Sequence, residues 1–199
     1  MKRGFKVPTE DDLKRMLLEL PSEEDLDALP VRSLAAYAAR CARRVQSLFV
    51  PPLGGEQLKN ALDLTERAIK TTERFAAGEE TVSSVDAREI ADETIEVVGR
   101  SGATDAVLSA GLTAVNAIAT VGYDEYGRSN DVACCASLSA RRADSASGFA
   151  ARADYRKLLE LVGTSSDKTG NPIDPSESGP LGPLWPEGLR NPFDEEGSS

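Results

Sequence analysis

Residues 103–121 read ATDAVLSAGLTAVNAIATV, and this stretch decides the fold. Wound as a helix it is apolar nearly all round, which places it inside a bundle or inside a membrane. Asp105 and Asn116 interrupt it, and Ala, Gly, Ser and Thr outnumber large aliphatics, so the bundle interior is the better reading. It is the expected central helix, covered on most sides. Ala110, Gly111, Ala114 and Ala117 leave room for neighbours to come close.

The segments on either side carry the one-sided patterns of helices that would cover it. Just before it, Ser83 or Ser84 opens a helix to about Val98, with Ala87, Ile90, Ala91, Thr94 and Val98 inward and Gly99 and Gly102 as its bounds. An earlier helix gathers Leu58, Ala61, Leu62, Thr65, Ala68, Ile69, Thr72, Phe75 and Ala76 on one face and stops at Gly78. Val31 to Phe49 sets Leu34, Ala38, Cys41, Val45 and Leu48 on a single stripe, broken by Pro51-Pro52-Leu53-Gly54-Gly55. Ser22 caps a short turn. Thr9 caps a first helix with an acidic first turn, which Pro21 stops at Leu20. Beyond the central helix, residues 123–130 read as a polar loop. One helix then runs from about Asp131 to Leu161, with Ala136, Ala140, Ala143, Ser147 and Ala150 as a seam of small residues. Gly148 is its natural kink, and Leu158, Leu161 and Val162 anchor its end.

From Gly163 onward proline and glycine dominate, which rules out helix and leaves too little apolar content for a separate core. Leaving Leu181, Leu184 and Trp185 in water costs roughly 1.5–3 kcal/mol each. The tail is therefore expected to lie along the bundle to about Trp185 and to fray beyond about Arg190. The predicted architecture is all-α: a single bundle of five to seven helices over residues 1–162 around a central apolar helix, with an irregular Pro/Gly-rich tail over 163–199.

Charge and composition narrow the function. The 199 residues include 23 Lys and Arg against 33 Asp and Glu, a formal charge of -10. A duplex binder needs a basic surface to displace counterions from phosphate, so nucleic acid is not the expected partner, whereas a basic protein suits. There is no histidine. That removes Ser-His-Asp and Cys-His pairs, the common zinc-protease motif and carboxylate–histidine di-iron sites. The three cysteines, two of them adjacent at Cys134 and Cys135, form no disulfide framework and read as buried or half-buried reduced thiols of a cytoplasmic protein. No apolar signal core follows the basic start at Met1 to Lys6.

Three motifs deserve a chemical reading. Glu89, Asp92, Glu93 and Glu96 stand three or four apart on one helix, close enough to share a hard cation. All-helical nucleotide pyrophosphohydrolases of the MazG type use such pairs with a second acidic helix, for which Glu66, Glu73 or Glu160 would serve here. The plainer reading is a solvated face. Asp167-Lys168-Thr169-Gly170 matches the start of the aspartyl-phosphate loop of P-type ATPases, yet it sits in a tail with no strand to present the Asp and reads as a turn. Arg40, Arg43, Arg44, Arg141 and Arg142 form an anion-binding patch or, more simply, pair within the bundle with the acidic helices at 9–20 and 83–98.

The stretch Leu34 to Phe49 (LAAYAARCARRVQSLF), followed by the Ala61–Phe75 helix and its Ala76-Ala77-Gly78-Glu79 exit, resembles alanine-rich helical immunity proteins of bacterial polymorphic-toxin systems and related uncharacterised bacterial proteins. The resemblance implies a protein that neutralises a toxin domain by binding it. Those immunity proteins are rich in histidine where this chain has none, and no functional residue is carried over from them. The expected function is a non-enzymatic, cytoplasmic protein-binding module, of the kind that neutralises a basic toxin domain. A helical scaffold and a metal-dependent nucleotide hydrolase working through Glu89, Asp92, Glu93 and Glu96 are the alternatives. No cofactor, nucleic acid or membrane enters the first reading.

Overall fold

The structure, a computed structural model, describes residues 20–79, 82–122, 129–162 and 168–187, with Asn130 described by its backbone alone. Among these residues there are seven helices and no strand: α1 (Glu23–Leu26), α2 (Val31–Val45), α3 (Gly55–Ala76), α4 (Ser84–Arg100), α5 (Asp105–Gly122), α6 (Ser129–Ala143) and α7 (Ser145–Val162). The helix expected from Thr9 lies outside the described residues except for Leu20.

Local chemistry sets several of these boundaries. Ser22 and Asp25 form a capping box at α1: the Asp25 N–H donates to Ser22 Oγ at 3.1 Å and the Ser22 N–H donates to Asp25 Oδ2 at 2.9 Å. Those bonds from Ser22 hold the Asp25 carboxyl below its ordinary range. At α4 the Ser83 hydroxyl accepts from the Asp86 N–H at 3.1 Å. Pro30 precedes α2 and offers no side-chain cap, so the first N–H groups of that helix must find acceptors elsewhere.

The central apolar helix is α5. It packs against α2, α3, α4 and α6, and Ala110, Ala114, Ala117 and Ile118 are enclosed. By length and composition α5 would suffice to cross a membrane; here four helices cover its apolar surface. Gly111 is where a neighbour comes closest. A Cβ on it would lie 2.6 Å from Phe49 Cε2 and 2.9 Å from Val98 Cγ2, so the Phe49 ring fills the space a side chain would need.

Elsewhere the structure departs from the sequence expectation. Helix α2 ends at Val45 and tightens into a 3₁₀ turn over Gln46–Leu48, which swings Phe49 into the core, where it is 1% exposed. Nor does α2 bury a single stripe: nearly its whole circumference is covered, including Arg40 and Arg44. Alanine on most faces lets α3, α5, α6 and α7 all approach it. The expected unbroken helix from Asp131 is two helices, and it starts earlier, since Ser129 and Asn130 are already helical. The break falls at Asp144 rather than Gly148. Asp144 Oδ2 accepts from the Ser147 N–H at 2.9 Å, so its side chain caps a new helix. Gly148 stays helical and accommodates Arg141, whose Cδ would lie 3.0 Å from an added Cβ. Leu62 and Leu161, both placed inward by periodicity, are exposed.

Two glycine-to-alanine substitutions should move stability in opposite directions. Gly111→Ala overpacks the Phe49–Val98 contact and should cost about 1–3 kcal/mol. Gly99→Ala, in helix with nothing within 4 Å of the added Cβ, should gain about 0.5–1 kcal/mol from reduced backbone entropy and better helix propensity. Urea midpoints of the two variants check both signs.

Candidate functional site

The four carboxylates of α4 do share one face. Glu89, Asp92, Glu93 and Glu96 are exposed and line a shallow surface groove with Val85 and Arg88. Two are engaged by neighbouring cations: Glu93 lies 3.4 Å from Arg67 on α3, and Glu96 pairs with Arg100 at 2.8 Å one turn away. The acids suggested as a second motif are elsewhere. Glu66 and Glu73 both face Arg43 of α2. Arg43 donates to Glu73 through Nε at 3.0 Å and Nη2 at 2.6 Å, and to Glu66 Oε2 through Nη1 at 2.8 Å. Burial pushes the Glu66 carboxyl up, but bonds from Gln46, Lys70 and Arg43 outweigh it and hold it below the usual carboxylate range. Glu160 is exposed on α7. No three His, Cys, Asp or Glu side chains among the described residues are grouped to hold a metal ion.

Arg40, Arg43 and Arg44 pair within the bundle, with carboxylates of α3 and α7, whereas the acidic segment expected at 9–19 lies outside the described residues. Arg43 goes to α3. Arg40 and Arg44 point to the opposite side of α2, and each is at most 2% exposed. Both donate to one oxygen of Asp154 on α7: Arg40 Nε at 2.9 Å and Arg44 Nη2 at 2.5 Å. Asp154 is itself 1% exposed. Two guanidinium ions share one carboxylate, so an excess positive charge is buried. Main-chain carbonyls of the tail answer it. Arg40 Nη1 donates to Pro175 O at 3.0 Å and Gly182 O at 2.9 Å, Arg40 Nη2 to Pro183 O at 2.7 Å, and Arg44 Nε to Leu184 O at 2.6 Å. Arg44 Nη1 is buried without an acceptor. Close by on α2, burial pushes the Cys41 thiol up to about 12.

The tail also finishes the helices. Val31 N–H donates to Lys168 O at 2.9 Å and Arg32 N–H to Thr169 O at 3.1 Å, which supplies the acceptors Pro30 cannot. Ile173 N–H donates to Ala76 O at 2.8 Å at the end of α3, and Lys157 Nζ on α7 donates to Leu181 O at 2.6 Å. Leu181 is fully buried and Ile173 is 7% exposed. Gly170 adopts φ +76°, and a Cβ there would lie 2.5 Å from Pro30 Cβ; only glycine lets the chain pass so close. Lys168, Thr169 and Gly170 thus serve as a helix cap, and Asp167 lies outside the described residues. Pattern reading missed Asp154. Its signal was present: Ala150, Ala151, Asp154 and Leu158 share a helical face, so a carboxylate sat on an apolar stripe.

All three cysteines are free: Cys41 is buried, Cys134 half-buried and Cys135 exposed, the last against the expectation of burial, because α6 turns that face outward. Ellman's reagent at pH 8 should modify Cys135 readily and reach Cys41 only on unfolding. The raised Cys41 pKa favours the neutral thiol in the fold. Its contribution is therefore complete below about pH 9 and lost as pH rises towards 12. A Cys41→Ala variant should show a shallower fall of unfolding free energy across that alkaline window. Asp154→Asn leaves two buried guanidinium ions without a counter-charge and should cost about 3–5 kcal/mol, measured by urea denaturation. Glu93→Gln, at an exposed pair, should cost less than about 1 kcal/mol.

Comparison of the chain with protein-family models, with curated proteins and with solved structures finds no match.

Proposed function

We propose that this chain is a non-enzymatic, cytoplasmic protein-binding module whose α4 face receives a basic partner, as an immunity protein receives its toxin. One observation carries this reading: Glu89, Asp92, Glu93 and Glu96 stand exposed on one face beside the exposed Val85, on a chain of charge -10. Such a face speeds encounter with a cationic surface, and the apolar rim adds contact once charge has oriented the pair. The free thiols favour a reducing compartment. Arg40 and Arg44 are engaged inside the fold and offer nothing to a partner.

The test compares the wild type with the combined variant Glu89→Gln, Asp92→Asn, Glu93→Gln and Glu96→Gln in crosslinking from the cells that make the protein. A basic protein captured by the wild type, at least tenfold less by the variant, with an association rate that falls steeply with salt, is the expected result. Equal capture by both refutes the assignment of the face. A rise in melting temperature with millimolar Mn²⁺, abolished by Glu93→Gln, would overturn the non-enzymatic reading in favour of hydrolase chemistry.

A further inference from the structure

The hydrogen bonds described above between residues 168–187 and the helices engage main-chain atoms of the tail. The α2–α7 groove therefore reads an extended chain by its carbonyls, with Ile173 and Leu181 as apolar anchors. This is peptide recognition carried out within one chain. The occupant must display unspent carbonyls and follow a path that needs Gly170 against Pro30 and Gly179 against Asp174, where a Cβ on Gly179 would lie 2.2 Å from Asp174 O. The segment that meets those demands is this tail itself, and none of the contacts requires that it come from the same molecule.

We propose that the α2–α7 groove is an acceptor site that takes the tail of a second copy, and that reciprocal exchange of tails joins two copies into a dimer. The contacts are identical in the two states, so the balance is set by concentration. The tail of the same chain competes at an effective concentration on the order of millimolar. Exchange between wild-type chains is accordingly favoured only when they are concentrated, and breaking the same-chain pairing on both partners removes that competitor.

Two full-length variants provide the test. Leu181→Asp with Trp185→Phe disables the tail and keeps the groove. Arg40→Gln with Arg44→Gln disables the groove and keeps a tail that carries the only Trp. Each alone should be monomeric, and Trp185 emission of the arginine variant should be red-shifted from wild type. Mixed, they should give a one-to-one heterodimer by light scattering and restore the wild-type emission. Helical circular dichroism for both variants without heterodimer or restored emission overturns the proposal. Should the arginine variant fail to fold, a wild-type chain with a protease site inserted between Val162 and Lys168 is cut after folding and given a fluorescein-labelled peptide of residues 168–187. Stable incorporation of the label supports exchange; retention of the original tail with no label taken up over days refutes it.

Discussion

The arrangement of this protein depends on a problem posed by Arg40 and Arg44. A guanidinium ion withdrawn from water needs acceptors for five N–H groups, and an unanswered charge in the interior costs several kcal/mol. Asp154 answers part of two such ions. Helices cannot supply the rest, because their carbonyls are committed to their own ladders except in the last turn. An irregular chain keeps its carbonyls available. The Pro/Gly-rich composition after residue 163 is thus the kind of chain that two arginines buried among helices require, and the carbonyls of Pro175, Gly182, Pro183 and Leu184 are what it delivers.

How far this was legible in the sequence varies with the kind of pattern. The buried face of helix α4 was readable, since Ala87, Ile90, Ala91, Thr94 and Val98 differ sharply in polarity from the acids between them and are the residues buried, although the helix runs on through Gly99 to Arg100. Helix α2 was not, because alanine is compatible with both an exposed and a covered face. Which one results depends on the helices that pack against it from elsewhere in the chain. The break at Asp144 was hidden for a related reason: the small-residue seam runs in register through Ala143, Ser147 and Ala150, so periodicity carried straight across a residue whose capping role is local. Of the candidate site, the acidic stripe was visible as spacing. The Arg40–Asp154–Arg44 node was not, since pairing between distant helices leaves only a charge on an apolar stripe as its trace.

The arginines of α2 and the acids of α4 meet solvent differently. Among the arginines of α2, Arg40 and Arg44 are sealed inside and Arg43 is held between two carboxylates of α3, while the acids of α4 remain at the surface. Helix α5 contributes no ionisable group beyond Asp105 at its start; it is the apolar rod that lets these differently charged helices be brought round one axis.

The dependence of α2 on the tail has a consequence for biosynthesis. The carbonyls that complete Arg40 lie 135 and 142 positions later in the chain, and the acceptors for the first N–H groups of the same helix come from Lys168 and Thr169. α2 leaves the ribosome before the segment that receives its cations, so those cations must stay hydrated until residues 168–187 follow. The interior around Arg40 and Arg44 therefore closes only once that segment has emerged. A nascent chain stalled before that point would present a wet, positively charged seam to whatever chaperone holds it.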